Sequence, residues 1–103
     1  MNNQEFSDLM ETRFERTRAV LAKKASEYAR GDRLSNFKRA AAAMGCTPER
    51  ACLGMLMKHL ISIIDMVNDV DQGGGHILPM WDEKLGDAIN YLILLEGLVT
   101  ENA

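Results

Sequence analysis

Apolar positions along the chain recur at helical spacing in four stretches. From about Gln4 to Arg30, Phe6, Met10, Phe14, Thr17, Leu21, Ala25 and Tyr28 follow one another at intervals of three and four, which is one face of an α-helix. Glu11, Arg13, Glu15, Arg16 and Lys23 occupy its other faces, and Gly31 supplies a stop. A short second helix is predicted from about Leu34 to Met44, capped by Asp32 or Ser35 and ended by Gly45. Thr47-Pro48-Glu49 opens a third: the threonine caps, the proline fits the first turn and the glutamate suits the helix dipole. It runs to about Asp71, where Gln72–Gly75 breaks it. The fourth is predicted from near Trp81, with Trp81 or Asp82 at its cap, to Thr100.

The third and fourth helices are apolar nearly all round. Between Ala51 and Val67 only Lys58, His59, Ser62 and Asp65 are polar; between Leu85 and Val99 the clearly polar residues are Asp87, Asn90 and Glu96. Helices of that kind must be covered on most sides. Two flanking helices in a chain of 103 residues offer little cover. The expected architecture is therefore all-α: one domain over residues 1–103, a four-helix, antiparallel bundle-like fold that oligomerises as a dimer or higher.

The few polar positions on those helices carry the chemical information. At about 100° per residue, Lys58, Ser62, Asp65 and Asp69 share one sector of the third helix, and Glu83, Asp87 and Asn90 share one sector of the fourth. Two such stripes facing across a groove would resemble the carboxylate sites of helical bundles. Asp65, Glu83 and Asp87 are then the candidate ligands of Mg²⁺, which favours a few carboxylates plus water and phosphate oxygens. Glu83 and Asp87 become the candidate catalytic carboxylates, and Lys58 a phosphate partner that faces the fourth helix. The alternative is that the stripes face water or form structural ion pairs. His59 reads first as a core-edge histidine making one hydrogen bond and second as a catalytic base. His76, in the glycine loop, reads as solvated.

A second cluster lies between the first two helices. Lys24, Glu27, Arg30, Asp32, Arg33 and Asn36 surround Tyr28 and Phe37, an arrangement that suits a nucleobase bearing phosphates or, equally, an ordinary charged corner. The ligand-binding candidates are thus Lys24, Glu27, Tyr28, Arg33, Asn36, Lys58, His59 and Asn90.

Composition narrows the classes. The net charge of -3 and the lack of a dense basic run give nucleic-acid binding no support. The N-terminal stretch has no apolar signal core, and no run of about 18 uninterrupted apolar residues predicts a membrane span, so a cytoplasmic protein is expected. Cys46 and Cys52 lack any CxxC or Cys/His company and read as small buried hydrophobes of a reducing compartment. The seven methionines read as core and interface filler. GGGHILPM lacks the GK[ST] ending of a phosphate loop and reads as a flexible connection.

The segment KASEYARGDRLSNF resembles the K-x-x-x-Y-G-x-x-x-N-F signature of phage-encoded nucleotide-modification-associated domains. MLMKHLISI and WDEKLGDAINYLILLEGL resemble two helices of the same group, so the resemblance spans about Lys24 to Val99. Those domains are similar in turn to the all-α, MazG-like nucleoside triphosphate pyrophosphatases. The resemblance implies a helical oligomer of phage or prophage origin, in the host cytoplasm, with magnesium-assisted chemistry on nucleotides. The pyrophosphatases hold their metal on E-E-x-x-E and E-x-x-D helices. Here Glu83 and Asp87 are spaced E-x-x-x-D, Lys84 stands three before Asp87, and the first motif is missing. The leading expectation is a phage-type protein that binds a phosphorylated nucleotide in an inter-helix groove, with hydrolysis to monophosphate and pyrophosphate as its catalytic form. The alternatives are a non-catalytic nucleotide sponge and a protein-binding inhibitor, both acting against host defence.

Overall fold

The computed structural model describes residues 1–27 and 31–103, with Ser26 described by its backbone alone. Every regular element is an α-helix: α1 (Asn3–Glu27), α2 (Ser35–Met44), α3 (Pro48–Asp71) and α4 (Leu78–Glu101). Among the described residues there is no strand. They form two compact units, Met1–Arg33 and Leu34–Ala103.

The first unit is α1 with its flanks. Asn2 Oδ1 accepts a hydrogen bond from the Glu5 amide at 2.8 Å, satisfying one of the free donors of the first turn. Of the predicted stripe, Phe6, Met10 and Phe14 are exposed, Leu21 is half-buried and Thr17 is buried. The expected end of this helix at Arg30 lies outside the described residues, as does Tyr28.

In the second unit α3 is central and packs against both α2 and α4. Its start follows the sequence pattern: Thr47 Oγ1 accepts from the Arg50 amide at 3.1 Å, with Pro48 in the first turn. Gly45 ends α2 at φ 70°, the left-handed conformation that glycine adopts without the steric cost of a Cβ. At its other end α2 has Leu34 as N-cap and no side-chain cap bond, where Asp32 or Ser35 was expected. The fourth helix also starts earlier than the sequence suggested, at Leu78 rather than near Trp81. Pro79 falls within its first turn, a position where proline initiates a helix rather than breaking it. The connection thus shrinks to Gln72–Ile77.

Helices α3 and α4 run antiparallel. Glu49 is bonded by Asn102, Cys52 Sγ lies 3.7 Å from the Tyr91 carbonyl, and His59 meets Asp87. The core is Phe37, Cys52 and Leu98, flanked by Leu34, Met55, Tyr91, Leu94 and Leu95. Lys38 ties α2 to the end of α4 through Glu101 at 2.9 Å.

By length and composition α3 is also apolar enough to cross a membrane, although Lys58, His59 and Asp65 interrupt its apolar run. The core helix of a soluble protein meets the same test, and one side of α3 is occupied by α2 and α4.

Candidate functional site

Tyr91 is the hub around which the candidate site is built. Its ring meets Phe37 of α2 edge-on, centroids 6.5 Å apart, and stacks on the His59 imidazole of α3 at 5.1 Å. These are favourable aromatic geometries, and they hold the imidazole against the core. His59 is 15% exposed, and its Nδ1 lies 3.6 Å from Asp87 Oδ2, one turn before Tyr91 on α4. The predicted core-edge histidine is therefore found, with a carboxylate beside it. A histidine held between an aromatic face and a carboxylate can donate to, or accept from, a group that enters the seam.

Asn90 follows Asp87 by three residues, about one turn further along α4. Its Oδ1 is buried and has no hydrogen-bond partner, one of two such side-chain atoms among the described residues. A buried acceptor left without a donor costs about 1–3 kcal/mol.

Helical geometry shows how the polar groups relate. Measured from Cys52, His59 stands at about -20°, Ser62 at -80°, Asp69 at -100°, Lys58 at -120° and Asp65 at -140°. Measured from Tyr91, Asp87 stands at about -40°, Glu83 at -80° and Asn90 at -100°. Gly97, at about -120°, faces Leu34 beside α2. Because α3 and α4 are antiparallel, equal signs fall on the same side of the two-helix layer. Both polar stripes thus run along the side that carries α2. That helix has ten residues against 24 in each of its neighbours, so it covers only part of their length.

Within this arrangement the contact is made by His59. Lys58 is exposed, and among the described residues its amine has no carboxylate within 4.0 Å. Ser62 is turned back on its own helix, donating to the Lys58 carbonyl at 3.0 Å. Asp65 and Glu83 are exposed. Among the described residues no three His, Cys, Asp or Glu side chains are grouped to hold a metal ion. Asp65, Glu83 and Asp87 therefore do not form a magnesium ligand set within one chain.

The corner cluster is divided. Lys24 and Glu27 form an exposed i, i+3 pair at 3.8 Å, which with Arg33 belongs to the first unit. Asn36 is exposed at the start of α2 in the second unit, and Tyr28 is outside the described residues.

His76 is not simply solvated. Its Nε2 lies 2.7 Å from Asp69 Oδ2 and its ring meets Trp81 edge-on at 6.3 Å, while the Gly74 amide donates to the Asp69 carbonyl. The other acid at the end of the predicted stripe is thereby engaged in closing the α3–α4 connection.

Sequence reasoning did not single out Tyr91. It sits among Asn90, Leu92 and Ile93, where an aromatic reads as core; only its placement one turn after Asp87 marks it. Comparison with protein-family models, with curated proteins and with solved structures gives no match.

Proposed function

We propose that the second unit binds a phosphorylated nucleotide along the α3–α4 seam, on the side that carries α2. The observation that carries this reading is the buried, donorless Oδ1 of Asn90, one turn along α4 from the Asp87 that meets His59. A nucleobase offers ring and exocyclic N–H donors to such an acceptor, and the His59 and Asp87 groups supply further polar contacts. The exposed amine of Lys58, on the same side of the layer, suits a phosphate as a point charge. The resemblance of Lys24–Val99 to phage nucleotide-modification-associated domains supports the same ligand class and adds a phage setting.

The function proposed is binding rather than turnover. Hydrolysis in the pyrophosphatase manner needs a cluster of metal-holding acids, and the described residues of one chain do not group them. A sponge that removes a signalling nucleotide from a host defence is the biological form that fits binding alone.

A thermal-shift screen of nucleoside phosphates and cyclic dinucleotides, each with and without Mg²⁺, tests this reading. A true ligand raises the melting temperature in proportion to the logarithm of its excess over Kd. The response should vanish in His59→Ala and fall with salt. Absence of any stabilising nucleotide refutes the proposal. Release of pyrophosphate from a triphosphate in the presence of Mg²⁺ would replace it with the catalytic alternative.

A further inference from the structure

The α3–α4 layer has a second side, opposite α2, and nothing in its own unit covers it. Measured from Cys52, Val67, Leu60, Ile64 and Met57 stand at about +60°, +80°, +120° and +140°. Measured from Tyr91, Val99, Leu92, Leu85 and Leu78 stand at about +80°, +100°, +120° and +140°. On α4 these four are spaced seven residues apart, a continuous stripe along the helix. Apart from the half-buried Leu60 and the more open Leu78, all are between 40% and 56% exposed. The charged residues of α3 on this side stand at its ends, Glu49 and the exposed Arg50 near the start and the exposed Asp71 at the finish; on α4 the exposed Glu96, at about +140°, borders the stripe.

We infer that this face is where a second copy of the chain docks, its own α3–α4 face packed against the first about a two-fold axis. Three features point to that occupant. The first is the charge pattern. A two-fold that sets the two α3 helices antiparallel brings Arg50 of each copy toward Asp71 of the other, an opposite-charge pair at each end of an isologous contact, while the neighbouring Glu49 is engaged by Asn102 of its own chain. The second is area. A fully buried aliphatic side chain is worth about 1.5–3 kcal/mol at about 25 cal/mol per Å², or roughly 60–120 Å². Eight side chains about half exposed thus supply roughly 250–500 Å² of apolar area per copy. Apolar atoms make up about 56–65% of an interface, which brings the whole face to roughly 400–900 Å². A standard interface takes about 600–1,000 Å² from each partner, so the face reaches that range. The third is layering. Each α3–α4 pair is a single layer with α2 on one side, and two such layers back to back give the two-layer packing that amphipathic helices need. A bilayer is a poorer occupant, because immersing α3 would also desolvate Lys58 and Asp65. The docking face lies opposite the side on which nucleotide binding is proposed, so the two readings stand or fall separately.

Sedimentation equilibrium of the full chain over a range of micromolar concentrations reads the outcome. The expected mass is twice 11.5 kDa. Leu92→Glu and Ile64→Glu should weaken the dimer by about 100-fold or more, since symmetry puts each glutamate into the contact twice. Ile93→Glu is the control: Ile93 is similarly exposed but lies about 160° round the other way from Tyr91, and should leave the mass unchanged. Because a core-adjacent glutamate can also unfold a helix, the surface pair Arg50→Asp and Asp71→Arg adds an independent reading. Either alone should weaken the dimer, and the two together should restore it. A wild-type chain that stays at 11.5 kDa at every concentration overturns the inference. So does a dimer indifferent to Leu92→Glu, or equally disturbed by Ile93→Glu. A monomer that sediments with phosphatidylcholine vesicles, or one in which Leu92→Glu removes amide protection from α1, would assign the face to a membrane or to the chain's own first helix, and would overturn it as well.

Discussion

Replacing Asn90 by leucine separates the needs of folding from those of a ligand site. The side chain sits half-buried on the side of α4 that carries the polar stripe, and its amide oxygen is buried without a donor. An unsatisfied buried acceptor costs about 1–3 kcal/mol, and an apolar group of similar shape removes that cost. Leucine also adds apolar burial, reduced because the site is only half-buried; part of the gain is offset by misfit of the branched end, typically below about 1.5 kcal/mol. The net expectation is a gain of about 0.5–2 kcal/mol. For a domain of 60–100 residues each kcal/mol moves the melting point by about 4–8 °C, so Asn90→Leu should melt roughly 2–16 °C higher. The same variant should lose the stabilisation that a nucleotide gives the wild type. Differential scanning calorimetry, with and without the best nucleotide from the screen, measures both effects. A loss of more than about 1 kcal/mol in the unliganded variant would mean that the amide satisfies a structural partner. An undiminished ligand response would remove Asn90 from the site. Either result refutes the reasoning that links the orphaned oxygen to a ligand.

Three further predictions concern the scaffold. Leu98 is fully buried, so Leu98→Ala should cost about 2–5 kcal/mol in urea unfolding, at the upper end if the cavity does not collapse. Gly97 lies inside α4, and an added Cβ would meet a Leu34 methyl at 3.6 Å, an ordinary contact; Gly97→Ala should therefore stabilise by about 0.5–1 kcal/mol through lower backbone entropy in the unfolded chain. Burial raises the Cys52 thiol above its ordinary 9.0, so the unfolded chain loses this proton first as pH rises, and the native state loses stability above about pH 9. Cys52→Ala should lack that alkaline decline, and in the native protein a thiol reagent should label Cys46 well before Cys52.

Much of this fold is legible in the sequence because its strongest signals are local. Thr47-Pro48 marks the start of α3, and Gly45 marks the end of α2, through chemistry confined to one turn. The start of α4 was misplaced because its cap residue, Ile77, makes no side-chain bond, and Pro79 reads as a breaker until its place in the first turn is known. The polar stripes were visible from spacing, but the identity of the contacting residue was not. Lys58 and His59 are neighbours about 100° apart, and choosing between them requires knowing which sector of α3 meets α4. Cys52 and Met66 fix that sector once they are known to be buried, and it contains His59 rather than Lys58. Tyr91 was missed for a related reason: its role comes from Phe37 and His59, which approach from two other helices.

The clasp of His76 and Gly74 on Asp69 has a consequence for how the chain folds. It closes a connection of only six residues between two helices of 24, so residues that pair across α3 and α4 near the turn are close in sequence as well as in space. Closing a short loop takes about 10–100 ns, and contacts of low sequence separation carry little loop-closure cost. The hairpin can therefore zip from Asp69 and Trp81 outward, bringing His59 to Asp87 before Cys52 reaches Tyr91 and Glu49 reaches Asn102. Search for the native arrangement is thus concentrated at the far end, where α2 must find Leu98 and Tyr91. That ordering places the topology among the low-contact-order chains that fold in microseconds to milliseconds.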